Sequence, residues 1–191
     1  MPFHLSNQGL HAGEILLRSG TVQREVMPLS TFEHTWSRSS QWAFVVLPPG
    51  RLAASADEAQ TTSALVAFEK TAPPLRAATA YRSALTRWPA SLTIAMGLGN
   101  SLYKAGALPE AEAVFHSAAR RHNAAAAWNN LASLLLERQR LREARDAAQK
   151  AVALGGPTLD TAQDTLRQIE ARLTASASPR RKAPRDRAAR R

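Results

Sequence analysis

The chain has 191 residues, enough for one ordinary domain or for a small domain followed by a short helical array. It contains no cysteine, which excludes disulfides, thiolate metal sites and a cysteine nucleophile. Its 25 basic and 15 acidic residues give a net charge of +10, and much of the basic excess lies in residues 174–191.

Targeting signals are not evident. No apolar run approaches the roughly 20 residues that a membrane-spanning helix requires. The N-terminal sequence MPFHLSNQGLHAGE lacks the basic start and apolar stretch of a signal peptide. We therefore expect a cytoplasmic protein, or a periplasmic or exported one if the N-terminus is truncated.

The first predicted element is a β-hairpin. Residues 1–13 have no usable periodicity, but β-favouring runs follow at Ile15–Leu17 and Thr21–Val26. They are joined through Ser19 and Gly20, and the glycine can adopt the positive φ that a tight hairpin turn requires.

A short helix and a strand come next. Ser30 and Glu33 have the spacing of a capping box, which predicts a helix with Phe32 and Trp36 on one face. The apolar run Trp42–Leu47 then predicts a buried strand, which two prolines end.

These elements are too few to form an independent core. Their order and the sequence ILLRSGTVQREVMPLSTFEHTWSRSSQWAFVVLPPGRL resemble the C-terminal end of the papain-like domain in bacterial double-glycine-type cysteine peptidases. The resemblance implies an α+β peptidase-like remnant over residues 1–52. A working protease is not expected, because the nucleophilic cysteine is missing and only His4 and His11 lie near the expected histidine strand.

A first helical hairpin follows a linker of small residues at 51–57. Ser55 and Glu58 have a second capping-box spacing, which predicts a helix over about 57–70. The next helix is predicted from Pro74 through Trp88, since proline is accepted in a first helical turn.

Residues 92–156 contain a helical hairpin pattern twice. At an offset of 33 residues, Leu98, Gly99, Leu102, Ala111, Phe115 and Ala118 correspond to Leu131, Ala132, Leu135, Ala144, Ala148 and Ala151. At an offset of 34, Ala111, Phe115 and Ala118 correspond to Ala77, Tyr81 and Ala84 of a weaker upstream copy. Such a period is typical of stacked helix-turn-helix arrays. We expect the small residues to mark close approaches of helix backbones, and stacking to cover the apolar face of each hairpin.

The spacing of Leu98, Gly99, Leu102, Gly106, Ala111, Phe115 and Ala118, and of Trp128, Leu131, Ala132, Leu135, Ala144 and Ala151, resembles the tetratricopeptide repeat. The resemblance implies a mainly α fold, an α-α superhelix of two to three hairpins over residues 57–157. Some peptidases of the group named above carry such repeats directly after the peptidase domain. The departures include Ala148, where a bulky residue is usual.

The end of the chain divides into a helix and a tail. Residues 158–173 predict a capping helix whose apolar stripe is Leu159, Ala162, Leu166, Ile169 and Leu173. Residues 174–191 have no apolar side chain larger than alanine, and therefore predict a disordered basic tail.

The resemblance also implies a binding surface, because the first helices of such hairpins line a concave face that receives a peptide or a helix. The candidates are Met96, Asn100, Tyr103, Lys104, Asn129, Ser133 and Glu137, with Thr62, Val66 and Lys70 in the first copy. The asparagines can donate to and accept from a peptide backbone, and the lysine can bind a carboxylate. The alternative is that these residues are ordinary solvated surface.

Other candidate residues favour simpler interpretations. His116 and His122 are six residues apart, which is not a helical metal-ligand spacing, and we expect no cofactor or metal. Trp36, Trp42, Trp88 and Trp128 are predicted to pack in the core or at interfaces. The basic tail residues Arg180, Arg181, Lys182, Arg185, Arg187, Arg190 and Arg191 can contact a polyanion without specificity, since no aromatic residue is interleaved for base stacking.

Three functions follow as hypotheses. The first is a non-catalytic scaffold that binds proteins through the concave face. The second is the C-terminal portion of a truncated or split cysteine peptidase, docking to a catalytic half or steering substrates to it. The third is nonspecific nucleic-acid association through the tail.

Overall fold

The structure is a computed structural model that describes residues 4–5, 13–19, 21–38, 40 and 47–177. Its contacts divide the chain into two compact units, Met1–Val46 and Leu47–Arg191.

The described residues of the first unit form a three-stranded antiparallel sheet and one helix. Its elements are β1 (His4–Leu5), β2 (Glu14–Ser19), β3 (Val22–Pro28) and α1 (Leu29–Arg38), and the strand order is β1-β2-β3. The predicted hairpin is confirmed, with Leu16 opposite Val26. The two-residue strand β1 was not predicted, because it is too short to show an alternating pattern.

Two expectations for this unit have different outcomes. The rings of Phe32 and Trp36 do lie on one face of α1, with centroids 5.7 Å apart. The capping box is wrong, since α1 begins at Leu29 and Ser30 is already inside its first turn. The strand predicted over Trp42–Leu47 lies, except for its last residue, outside the described residues.

The second unit consists of seven described helices. They are α2 (Glu58–Glu69), α3 (Pro74–Arg87), α4 (Leu92–Lys104), α5 (Leu108–His122), α6 (Ala125–Glu137), α7 (Leu141–Leu154) and α8 (Leu159–Ala177). Each helix packs against the next, α2 also packs against α4, and α6 against α8. Because short connections join antiparallel helices, α2, α4, α6 and α8 run parallel to one another. The predicted mainly α fold is confirmed.

The helix ends depart from the predictions in two places. Asp57, not Ser55, caps α2, because its carboxylate accepts a hydrogen bond from the backbone N–H of Gln60 at 2.8 Å. Helix α8 continues to Ala177, four residues beyond the predicted capping helix. The hydroxyl groups of Thr174 and Ser176 donate to carbonyls of the preceding turn, so these polar side chains are accommodated within the helix.

The recurrent small residues are buried between helices, as predicted. Ala77 is 1% exposed, and Ala111, Ala132 and Ala144 are 0% exposed. Ala148 is also fully buried, at the place where the preceding repeat has Phe115. The offsets in the sequence therefore identified real packing positions.

Helix α4 contains two glycines that each lie in close contact with an aromatic ring. A Cβ at Gly99 would lie 2.4 Å from Cε1 of Phe115, and a Cβ at Gly97 would lie 2.3 Å from the ring of Tyr81. The rings come from α5 and α3, which flank α4 in the stack. The repeat offset marks Gly99 as a packing position but not Gly97, because the residue that corresponds to Gly97 in the next copy is Asn130.

Tyr81 also carries a polar contact at the edge of this packing. Its ring is buried at 1% exposure, and its hydroxyl donates to Oε2 of Glu69 at 2.9 Å. Burial, and then the hydrogen bond to the carboxylate, raise the pKa of Tyr81 well above its ordinary value. The neutral phenol is therefore part of the folded structure.

We predict that Gly99→Ala lowers the free energy of unfolding by about 1–2 kcal/mol, because the added methyl overlaps the ring of Phe115. Alanine would otherwise favour a helix by about 1 kcal/mol over glycine. Urea unfolding followed by circular dichroism measures the change.

Two matched variants test the cause. At the equivalent position of the third repeat, Ala132→Gly should lower the free energy of unfolding by about 1 kcal/mol. Alanine is thus expected to be the more stable residue at position 132, and glycine the more stable residue at position 99. In a chain that carries Phe115→Leu, Gly99→Ala should cost less unfolding free energy, because the ring that the methyl group overlaps is absent. An equal penalty in both backgrounds would contradict the role assigned to the ring.

A second prediction concerns pH. A raised pKa in the folded state stabilises the fold below the ordinary tyrosine pKa of about 10, and this stabilisation is lost as the pH rises above that value. Tyr81→Phe should therefore be about 1 kcal/mol less stable than the unmodified chain near neutral pH. The difference in unfolding free energy between the two proteins should become smaller above about pH 10.

Unfolding free energies of both proteins, measured at several pH values, test this prediction. Lysine deprotonation affects both proteins and largely cancels in the difference. A gap that stays constant from neutral to strongly alkaline pH would show that Tyr81 does not titrate with an altered pKa.

Candidate functional site

The candidate site is the concave face, defined here as the surface formed by α2, α4, α6 and α8. Side-chain bonds connect its helices. Asn130 Nδ2 on α6 donates to Asn100 Oδ1 on α4 at 3.1 Å, and Lys104 Nζ on α4 lies 2.7 Å from Glu69 Oε1 on α2. The residues of three helices therefore meet on one surface.

The candidates of the second and third copies differ in exposure. Tyr103, Lys104, Ser133 and Glu137 are exposed, Met96 and Asn100 are half-buried, and Asn129 is buried. In the first copy Val66 and Lys70 are exposed and Thr62 is half-buried. The helix register thus places most candidates at the surface, while Asn129 lies deeper than expected.

Two candidates are already bound to carboxylates of the same chain. Lys104 pairs with Glu69, which also accepts the hydrogen bond of Tyr81. Tyr103 donates its hydroxyl to Glu137, and this bond raises the pKa of Tyr103. Exposed pairs of this kind contribute about 0–1 kcal/mol. A ligand group can therefore replace one partner of such a pair at little cost in free energy.

Asn129 has an unsatisfied polar atom. The residue is 8% exposed, and its Oδ1 is buried without a hydrogen-bond partner among the described residues. A buried acceptor without a partner typically costs about 1–3 kcal/mol. Asn129 thus carries an acceptor that no described residue satisfies.

Two residues of this face were missed by the sequence analysis. Glu69 precedes the candidate Lys70, and Asn130 follows the candidate Asn129. Both take part in bonds between neighbouring first helices. The signal for Glu69 was available, since it lies 34 residues before Tyr103 and so occupies the equivalent repeat position.

A separate depression of about 460 Å³ lies between α5, α6 and the start of α7. Leu131 and Leu135 contribute apolar lining, and Glu112 accepts hydrogen bonds from Arg138 and Arg140. Arg140 also binds Glu143 at 2.8 Å, and this contact lowers the pKa of that carboxyl. The charged groups at its rim thus pair with one another and connect α5 to the turn between α6 and α7.

Trp128 is a packing residue of the array, and His116 contacts it at the surface. Trp128 is 8% exposed, and its ring faces His116 edge-on with centroids 6.4 Å apart. Lys150 Nζ lies 4.4 Å from the centroid of the same ring. Among the described residues no cluster of three potential metal ligands occurs.

Other predictions lie beyond what the described residues test. The candidate polyanion contacts Arg180, Arg181, Lys182, Arg185, Arg187, Arg190 and Arg191 lie outside the described residues. Within the described part, no helix is long and apolar enough to cross a membrane. The resemblance of residues 1–52 to a peptidase remnant stays a prediction.

Comparison with known proteins identifies the repeats. The tetratricopeptide repeat model matches residues 74–122 and 109–157. A search of curated proteins found none that matches the sequence.

Solved structures give the same fold at low identity. The Yersinia enterocolitica type III secretion chaperone SycD, in complex with a peptide of the translocator YopD, matches with TM-score 0.56 and 15% identity, over 63% of this chain and 99% of that one. The Sgt2 tetratricopeptide domain of Aspergillus fumigatus matches with TM-score 0.57 and 17% identity, over 69% and 90%. The first such domain of Spaghetti (RPAP3), bound to the HSP90 peptide SRMEEVD, matches with TM-score 0.56 and 15% identity, over 64% and 99%.

The buried small residues, the parallel first helices and the family match lead to the same conclusion. Residues 74–157 of this chain match the tetratricopeptide repeat and have its helical fold.

Proposed function

We propose that the chain is a non-catalytic interaction scaffold that binds an extended segment of another protein on the concave face. The observation that carries the proposal is the unpartnered Oδ1 of Asn129, which is a buried acceptor on a surface rich in neutral hydrogen-bonding groups. Asn100 and Asn130 lie on the same face, and Ser133 is exposed there.

The chemistry of these groups suits a peptide backbone. A primary amide can donate two hydrogen bonds and accept two, so Asn100 and Asn130 retain free capacity after bonding to each other. Val66 and Tyr103 are 41% and 42% exposed and offer apolar surface for side chains of the ligand. Amides for the backbone and apolar groups for side chains favour an extended segment over a small polar metabolite.

The structural neighbours support the same proposal by analogy of fold. SycD and the RPAP3 domain are structures with bound peptides. Their sequence identity to this chain is 15%. The analogy therefore supports peptide binding by such an array and does not indicate which peptide this chain binds.

We predict that Asn129→Leu stabilises the fold by about 1 kcal/mol while weakening partner binding, because it replaces an unsatisfied acceptor by an apolar group of similar size. Chemical unfolding measures the stability, and capture of the partner by the full chain measures the binding. Asn130→Leu, which breaks the bond to Asn100, should lower the stability instead. A loss of stability in Asn129→Leu would show that Oδ1 is satisfied in the folded protein.

The location of the ligand is tested by photo-crosslinking. A photoreactive amino acid at Ser133, on the concave face, should form adducts with a second polypeptide when the full chain is exposed to an extract of its host. The same group at Ser117, which is exposed on α5, is the matched control. Equal adducts at the two positions, or none at Ser133, would place partner binding elsewhere.

A further inference from the structure

Residues 48–56, called the strap here, lead into α2 and lie along α3. A Cβ at Gly50 would lie 3.2 Å from Cγ2 of Thr79 on α3. The φ angle of Gly50 is +93°, a conformation that favours glycine, so this residue can bring the chain close to the helix. Leu52 is half-buried against the hydrophobic core of the array. The strap therefore follows a defined path on the surface of α3.

Arg87, at the end of α3, binds the backbone of the strap. Its guanidinium group donates two hydrogen bonds, from Nη1 to the carbonyl of Ala53 at 2.7 Å and from Nη2 to the carbonyl of Ala54 at 2.8 Å. The same group lies over the ring of Trp88, with Cζ 5.0 Å from the ring centroid. The donors of a guanidinium group form a fixed fork, so it can bind two neighbouring carbonyls at once. One side chain thus fixes two consecutive residues of the strap.

The second repeat contains an equivalent contact. Arg121 on α5 is 34 residues after Arg87, and its Nη1 donates to the carbonyl of Pro89 at 2.6 Å. Pro89 lies in the connection before α4, just as the strap lies before α2. Arg121 therefore supplies a matched control, because it makes the same kind of bond to the connection of a different helix.

Helix α2 is held in the array by few buried side chains. Of its 12 residues Thr61 and Leu65 are buried, whereas eight of the 13 residues of α6 are buried. A helix of this length is marginally stable in water without packing. Elements with few buried apolar contacts open locally more often than the rest of a protein. We therefore expect the position of α2 to depend on the contacts at its two ends.

Polar bonds fix both ends of α2. At the C-terminal end, Glu69 accepts hydrogen bonds from Tyr81 of α3 and from Lys104 of α4. At the N-terminal end, Asp57 caps the helix and directly follows the strap, which Arg87 binds. Release of the strap from α3 therefore frees the start of α2 as well.

We propose that the strap and Arg87 form a clasp that keeps α2 in place as the first helix of the concave face. Arg87 is a positioning residue. It fixes the strap, the strap fixes the start of α2, and loss of its two hydrogen bonds lets α2 separate from α3 and α4.

Separation of α2 changes the concave face, because Thr62, Val66 and Lys70 leave it together with the helix. The face is then open at this edge, where a bound segment can enter or leave. That consequence rests on the proposed function, whereas the clasp itself does not.

Amide hydrogen exchange of the full chain, measured by mass spectrometry of peptides, tests the clasp. In the unmodified chain α2 should exchange at least about tenfold faster than α6, because it opens locally. Arg87→Gln should raise exchange in the strap and in α2 about fivefold and leave α6 unchanged, since two hydrogen bonds are lost. Arg121→Gln should leave exchange in the strap and in α2 unchanged. Arg87→Lys keeps the charge without the forked donors and should give an intermediate increase.

Proteolysis gives a second measurement of the same opening. Trypsin cleaves after arginine, and the bond that follows Arg51 lies within the strap. Arg87→Gln should raise the rate of cleavage after Arg51 about fivefold, because cleavage follows the population of the open form. Arg121→Gln should leave this rate unchanged.

Four results would overturn the proposal. They are exchange in α2 as slow as in α6, no change in Arg87→Gln, a uniform rise in exchange across all helices of that variant, and equal effects of Arg87→Gln and Arg121→Gln on α2. Crosslinking of a partner at Ser133 is measured separately, so the clasp and the proposed function can fail independently.

Discussion

The array depends on two aromatic rings that contact one helix. Tyr81 and Phe115 press on Gly97 and Gly99 of α4, at distances that leave no room for a methyl group. Both rings are almost fully buried, at 1% and 2% exposure. Because the rings come from the helices before and after α4, these contacts fix α4 between α3 and α5. The stacking of the first two repeats therefore depends on the absence of two side chains.

The third repeat has different residues at the positions equivalent to Gly99 and Phe115. Ala132 stands where the second repeat has Gly99, and Ala148 stands where it has Phe115. A larger residue on the first helix is thus accompanied by a smaller one on the second, and both alanines are fully buried. Ala148 is therefore a buried packing position, although it departs from the usual bulky residue.

Much of this fold could be predicted from the sequence, because repetition makes buried positions visible. A residue that recurs at offsets of 33 or 34 is marked as a packing position without knowledge of its neighbours. Gly97 was missed for the same reason, since its counterparts are polar and the repeat does not mark it. The cap of α2 was misassigned because Ser55 and Asp57 both carry a capping oxygen, and only the backbone geometry decides between them.

The candidate site was only half predictable, because the helix register gives a direction for each side chain but not its partners. Ser133 and Lys104 are exposed, as the register indicates, yet the bonds of Lys104 and Tyr103 to Glu69 and Glu137 were not anticipated. Lys104 and Glu69 are 35 residues apart, and Tyr103 and Glu137 are 34 residues apart. Both separations are close to the length of one repeat. The same offset that identifies core positions also brings equivalent surface residues of adjacent first helices together. A polar pair at that offset is therefore a predictable contact in a stacked array.

The core and the concave face consequently constrain the chain in different ways. In the core, a change of one methyl group at Gly97 or Gly99 meets a ring that cannot move freely. On the face, the exposed pairs contribute little stability, so their donors and acceptors remain exchangeable. A rigid stack that carries replaceable polar contacts can bind a segment without refolding. Asn129 combines both features, because it is a buried residue whose side-chain acceptor has no hydrogen-bond partner among the described residues.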